Sequence, residues 1–318
     1  MKAGRFAALV GCSIPIQLAA MPGVVTPALA AAVSEAGGLG MVSGVRLPPE
    51  ALAALIDSAA QLTRKPIGVN FLMPFLEPAG VAVAAAKARV VEFFYGEPDG
   101  ALVDTVHRHG ALASWQVGSA EEAVAAVRAG CDFVIAQGTE AGGHIRGRVG
   151  LLPVLSAVRE AVDVPVLAAG GIGTAADLAA VLAAGADGAR IGTRFIASTE
   201  SGAHPKYVDA IISARAEDTV ITEAFSAMWP NAPHRVLRSC IDAATAFQGA
   251  IVAEVSYGGS TQQVPRFGSP APTAHTTGAV EAMPMYAGES VSAVRARQPA
   301  SEIVRELIGG ADRLLESL

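Results

Sequence analysis

The stretch Gln137-Gly138-Thr139-Glu140-Ala141-Gly142-Gly143-His144 carries residue types suited to chemistry. Its histidine can exchange a proton near neutral pH. Gly138, Gly142 and Gly143 let the backbone approach a flat ligand without Cβ obstruction. The stretch follows the apolar run 132–136, which reads as a buried strand, and the next helical pattern begins only near Leu151. Residues 138–150 between them include five glycines and also Arg146 and Arg148. Ordinary strand-to-helix connections run to about 2–6 residues, so a longer one is functional or disordered. A flexible loop with a solvated histidine has the same composition, and the rest of the chain decides between the two.

The elements that must position this loop recur along the chain. Strand-like runs fall at 14–20, 40–43, 67–72, 90–95, 112–117, 132–136, 164–169 and 188–191. Helical patterns separate them, among them 26–36, 48–62, 78–88 and 100–109. Ser119 and Glu122 have capping-box spacing, and Thr174 is placed to cap the helix that ends near Gly185. Strands alternating with helices imply right-handed crossovers and a parallel sheet. Eight such units predict an α/β fold, a (β/α)8 TIM barrel with a smaller inserted second domain. An open doubly wound sheet is the alternative, but no GxGxxG follows the first strand.

The expected division is 1–219 for the barrel, 220–283 for the inserted domain and 284–318 for a C-terminal segment returning to the barrel. Prolines and polar, glycine-rich stretches such as Ser256-Tyr257-Gly258-Gly259-Ser260 punctuate the middle part. Ile303, Leu307 and Leu314 share one face of a predicted helix at 300–315. Gly309-Gly310 in its middle weaken the case for a continuous one.

Position then suggests roles. In a parallel barrel the C-terminal strand ends carry the site. Met21, Asn70, Gln116 and Gln137 fall there, as do Gly170-Gly171 and Gly192-Thr193. The loops after the last two strands form the usual phosphate site, built from free N–H groups, and the Thr193 hydroxyl can donate to a phosphate oxygen. Cys131 reads as packing, His107 and His109 as solvated, and His204 as a helix start or a contact between domains. Arg146 and Arg148 are either surface charges or attractors of an anionic substrate.

Composition excludes several classes. The 318 residues carry a net charge of −6, with no basic footprint for nucleic acid or anionic membrane. Cys12, Cys131 and Cys240 lack CxxC spacing, so neither a disulfide framework nor a metal site is indicated. A reducing, cytoplasmic setting follows. Lys2 and Arg5 before the apolar run ending at Cys12 faintly suggest a lipoprotein signal, but the run is too short. No run reaches the ~18 apolar residues of a membrane span. No HExxH and no Ser–His–acid set is present.

Six segments occur together in order: Ala19-Ala20-Met21-Pro22-Gly23, Ala36-Gly37-Gly38-Leu39-Gly40, Gly68-Val69-Asn70, 137–144, Ala168-Ala169-Gly170-Gly171-Ile172 and Arg190-Ile191-Gly192-Thr193-Arg194-Phe195. The chain resembles the nitronate monooxygenase (2-nitropropane dioxygenase) family over nearly its whole length, least from 228 to 282. The resemblance implies an FMN cofactor. Its phosphate would lie against Gly170, Gly171 and Arg190, Ile191, Gly192 and Thr193. Its ring would lie near Met21, Asn70, Gln137 and Gly142, with Gln116 facing it. His144 matches the family histidine near the flavin, which the resemblance implies as catalytic: a base that removes the α-proton of a neutral nitroalkane, or a group that holds the nitro charge. Tyr286-Ala287-Gly288-Glu289-Ser290 resembles a stretch near the flavin, without an assigned role. Ile145 interrupts the glycine pattern after His144.

The implied reaction is oxidation of an alkyl nitronate or nitroalkane by O2 to a carbonyl compound and nitrite. The FMN-dependent enoyl-acyl-carrier-protein reductases share the architecture and a Gly-Gly-His-Ile run, but tend to carry serine where this chain has Ala141. NAD(P)H:quinone reductases are a further alternative, as are a flavin-binding protein without turnover and a phosphosugar barrel enzyme. The expected partners are a small-molecule substrate and O2, with a homodimer left open.

Overall fold

A computed structural model describes residues 4–257 and 260–317, so Lys2 and Gly258-Gly259 lie outside the described residues. The strands are β1 (Ile16–Leu18), β2 (Gly40–Ser43), β3 (Ile67–Leu72), β4 (Val90–Phe94), β5 (Leu112–Val117), β6 (Phe133–Gln137), β7 (Gly143–His144), β8 (Val166–Ala169) and β9 (Gly188–Ile191). They continue with β10 (Thr219–Thr222), β11 (His234–Leu237), β12 (Ile251–Tyr257), β13 (Ser260–Pro265) and β14 (Thr277–Gly278).

The helices are α1 (Arg5–Val10), α2 (Pro27–Glu35), α3 (Pro49–Leu62), α4 (Pro78–Lys87), α5 (Gly100–Arg108) and α6 (Ala120–Arg128). After them come α7 (Leu151–Ala161), α8 (Ala175–Ala183), α9 (Thr193–Ile196), α10 (Pro205–Ser213), α11 (Arg238–Ala246) and α12 (Ala300–Leu315).

Eight strands form one parallel sheet in the order β1-β9-β8-β6-β5-β4-β3-β2. A parallel bridge from Gln17 to Leu39 joins β1 back to the β2 side and closes a TIM-type barrel. The eight strands are the predicted ones, with boundaries shifted by one or two residues. The first is shorter than 14–20. The fourth ends at Phe94 because Tyr95 has φ 68°, which no strand continues through.

Strand parity sorts the side chains. Outward apolar residues such as Val69, Val91, Trp115 and Val134 meet the helices in one large core. Inward residues Leu39, Met41, Val90, Phe133, Ile135 and Leu167 pack with Phe6 and Val10, so α1 plugs the N-terminal floor of the barrel. Above that floor the interior turns polar, with Gln17, Glu92, Ser114 and Arg190 all buried.

Beyond β9 the chain builds a second layer over the C-terminal mouth. The sheet β10-β11-β7 borrows β7 from the long predicted loop. The sheet β13-β12-β14 and α11 surround a separate core containing Tyr207, Phe225 and Met283. Among the described residues no helix is long and apolar enough to cross a membrane.

The last helix, α12, spans the expected 300–315 and runs unbroken through Gly309-Gly310. It packs on α8 and α2, burying Ile303, Val304, Leu307 and Ala311. A Cβ at Gly310 would overlap that of Ala175 at the start of α8, whereas one at Gly309 meets only Arg313 Nη1, at 3.8 Å. Contact between the helices therefore outweighs the helix-propensity cost of one glycine. Gly309→Ala is expected to stabilise by about 0.5–1 kcal/mol. Gly310→Ala is expected to destabilise by about 1–3 kcal/mol through overpacking. Urea unfolding midpoints of the two variants check the opposite signs.

Candidate active site

The site rests on a carboxylate inside the barrel. Glu92 on β4 is fully buried. It accepts hydrogen bonds from Gln17 Nε2 (2.8 Å), Asn70 Nδ2 (2.8 Å) and Arg190 Nη1, which pairs with it as an ion pair. Three strands, β1, β3 and β9, thus converge on one acceptor. A buried ion is tolerated only when paired and hydrogen-bonded. The amide NH2 of Asn70 is committed to Glu92, leaving Oδ1 free to accept from the cavity above.

Glycine turns end the last two barrel strands. Gly170 (φ 114°) and Gly171 (φ 70°) take left-handed conformations in which side chains are strained. Among the described residues no acceptor receives the N–H groups of Gly170, Gly171, Gly192 or Thr193. The Thr193 hydroxyl accepts from the Gly288 N–H (3.0 Å), which leaves its own proton to donate. These groups suit an anion, as the sequence suggested. Glu140, between the loops, accepts from the N–H of Leu151 at the start of α7 (2.9 Å) and holds the loop against that helix.

His144 does not sit in a free loop. With Gly143 it forms β7, paired antiparallel to β11, where His144 faces His234 and Gly143 faces Arg235. Gln137 holds the same strand from the barrel side: its Nε2 donates to His144 O (3.0 Å) and its Oε1 accepts from the Arg146 N–H (3.3 Å). The imidazole stacks on Trp229, with centroids 3.9 Å apart and planes at 25°, and Tyr95, His234 and Tyr286 surround it.

His144 Nε2 is buried with no protein partner among the described residues. Burial, and secondarily the neighbouring His234, pushes its pKa down to about 3. His234 is itself lowered by burial, with Nδ1 against Ala232 O at 2.9 Å.

Of the residues singled out in the sequence, Met21, Asn70, Gln116, Gln137 and His144 line one cavity, as do Gly142, Gly143, Gly170, Gly171, Arg190, Gly192 and Thr193. It offers about 280 Å³ to the centre of a water molecule. Gln116 Oε1 joins His144 Nε2 as a buried atom without a protein partner. The lining fits a flat group with polar edges and an anionic tail.

Two of the singled-out residues lie outside the lining. Ile191 points outward into the helix-facing core, because strand parity turns it away from Arg190 and Gly192. Gly138 donates to Ala169 O, and a Cβ there would strike the backbone of Leu151, so it serves packing.

Other readings change or hold. Arg146 is bound to Glu122 (2.6 Å) and Glu97 (2.7 Å), and Arg148 is exposed. Glu122 does not complete the expected capping box. Ser119 accepts its N–H, but the carboxylate turns to the Gly118 N–H and Arg146. Thr174 forms a full box with Asp177. Cys131 is buried, His204 caps α10, and His107 binds Asp132 (2.8 Å).

The sequence reading missed Glu92 and the aromatic wall of Trp229, Tyr95 and Phe75. A charge at an inward position of an apolar strand was the available sign for Glu92. Nothing local marked Trp229.

A parallel barrel with free N–H groups and a largely apolar cavity carrying a few polar side chains at its C-terminal mouth is built for catalysis around a bound group. The protein is a flavin-dependent oxidoreductase. The sequence model of the family described as nitronate monooxygenase matches residues 5–82 and 75–310, and the chain belongs to that family. It is similar to the probable nitronate monooxygenase of Staphylococcus aureus (strain JH9), with 30% identity covering 70% of this chain and 76% of the relative. FabK from Thermotoga maritima has a similar structure, with a TM-score of 0.82 and 30% identity over 100% of this chain and 98% of that one. A nitroalkane oxidase from Streptomyces ansochromogenes gives 0.80 and 32% over 98% and 99%.

Two expectations follow from the geometry. Glu92→Ala strands the Arg190 charge in the barrel and should cost about 3–5 kcal/mol. Glu92→Met with Arg190→Met should cost less than Glu92→Ala alone, as read by urea denaturation. Acid should destabilise the fold through the two histidines. Each binds its proton more weakly folded than unfolded, so the unfolded chain takes up protons below pH 6.5. Stability is then full above about pH 6.5 and falls as pH drops toward 3. His144→Gln should flatten that fall in a Tm-versus-pH series.

Proposed function

We propose that the protein uses FMN and O2 to oxidise alkyl nitronates to a carbonyl compound and nitrite. The observation that carries this reading is His144: a neutral imidazole whose buried Nε2 meets no protein partner and borders the cavity. FMN, when bound, supplies the electron acceptor that side chains lack. Gly170, Gly171, Gly192 and Thr193 would hold its phosphate, with Asn70, Gln116 and Met21 at its ring. The family membership and the likeness to a nitroalkane oxidase support the reaction class.

The low pKa of His144 narrows the role of this side chain. A base whose conjugate acid titrates near 3 draws weakly on a carbon acid at pH 7. His144 is therefore better suited to receive a nitronate already ionised, donating from Nε2 to one of its oxygens. The anion in turn favours the protonated imidazole and raises its pKa. Gln137 and β11 hold the ring in place for this contact. The apolar wall keeps water from competing for it.

The FabK likeness fits the reductase alternative, which the same experiment separates. Purified yellow holoprotein should consume O2 with propyl nitronate and no NADH. Loss of NADH with a crotonyl thioester or a quinone, without nitronate-dependent O2 uptake, would overturn the proposal. His144→Ala should keep its visible flavin band and lose about 10- to 100-fold in kcat/KM for the nitronate, the range of one charge-assisted hydrogen bond. Unchanged turnover would remove His144 from the reaction.

A further inference from the structure

A buried histidine normally has its ring set by a hydrogen bond to one nitrogen. His144 differs. Gln137 and the pairing with β11 act on its backbone, and neither ring nitrogen takes a protein hydrogen bond among the described residues. Packing must therefore set the plane of the imidazole.

The rings around it are not equivalent. Tyr95 stands edge-on at 6.0 Å, and His234 and Tyr286 are tilted, at 5.2 and 5.6 Å. Among the described residues Trp229 alone lies flat on it, with centroids 3.9 Å apart and planes at 25°. The indole is itself 7% exposed, and Phe75 and Tyr95 meet it edge-on at 4.9 and 4.7 Å. Tyr95 has a φ of 68°, a strain that persists only where the surroundings enforce it. The Arg46 guanidinium lies over Phe75 at 3.8 Å. The cavity continues past Trp229 to Val255, Ser256 and Gln262, so the indole flanks it and does not close it.

We infer that Trp229 is a positioning residue for His144: its indole fixes the plane of the imidazole at the cavity wall and offers a π face to the charge that the ring takes up beside an anionic substrate. An aromatic face within about 6 Å attracts a cation, and indole does so best. The inference rests on the proposed role of His144 as the group that receives a nitronate. It goes beyond that role by naming the side chain that holds the receiving ring ready.

The test compares holoprotein carrying Trp229→Leu, Trp229→Phe, His144→Ala or Trp229→Leu with His144→Ala. Leucine keeps the wall apolar but removes the flat face, and Trp229→Met replaces it if the leucine variant loses its flavin band. Two quantities are read: kcat/KM for propyl nitronate, and the Kd of butyrate from the change in flavin absorbance. Butyrate is a planar two-oxygen anion that does not reduce the flavin. Trp229→Leu should lower both kcat/KM and butyrate affinity at least about tenfold, the range of one charge-assisted hydrogen bond. Trp229→Phe, which keeps a ring on the imidazole, should recover most of that loss. In the His144→Ala background the leucine substitution should cost less than about twofold more, because residues that act as a unit are not additive.

An equal loss in the His144→Ala background overturns the inference, since Trp229 would then act otherwise than through His144. So does a phenylalanine variant no better than the leucine one, an unchanged leucine variant, or failure of the wild type to bind butyrate. If butyrate follows the expected pattern but no nitronate supports O2 uptake, the positioning role stands and the proposed reaction falls.

Discussion

One buried ion pair organises the upper half of the barrel. Taking Glu92 and Arg190 out of water costs several kcal/mol per ion, and their attraction offsets this only with good geometry and further hydrogen bonds. Glu92 obtains those bonds from Gln17 and Asn70. The four residues come from β1, β3, β4 and β9, so the pair sets how these strands stand to one another. It also fixes which end of the Asn70 amide faces upward and keeps the Arg190 guanidinium near the anion-ready turns. The apolar floor below, closed by α1, needs no such device.

A second constraint acts on the histidine. β7 is only two residues long and has no stability alone. It persists because Gln137 holds it from the barrel while β11 pairs with it from the second layer. Ile145, which interrupts the glycine pattern, is buried and donates its N–H to Pro233 O at 2.8 Å. The departure in sequence is thus a seat for the second layer. Aromatic rings pack round His144, and burial pushes its pKa down to about 3.

How much of this was legible in the sequence depends on the range of each interaction. The barrel strands were readable because apolar runs and their spacing are local. The turn at Gly170-Gly171 was readable because turn chemistry is local. The capping role of Thr174 was read correctly for the same reason. Glu122 showed the same local pattern, but Arg146 in a distant loop drew its carboxylate away. Glu92 and Arg190 are 98 positions apart, and no window of sequence joins them. Trp229 reaches His144 from a proline-punctuated segment that announces no regular element. The final helix was readable at 300–315 despite Gly309-Gly310, because its apolar stripe is local and packing against α8 overrides the weak propensity of glycine.

The seat of α12 between α8 and α2 bears on how the chain is made. During synthesis the eight barrel strands are complete once residue 191 has emerged. The groove that will receive Ile303, Val304 and Leu307 then stays bare until residues 192–299 have followed. An almost finished domain with an oily furrow on its side is the kind of species that chaperones retain and that aggregates at high expression. The final helix thus acts as a clasp that closes the furrow between α8 and α2.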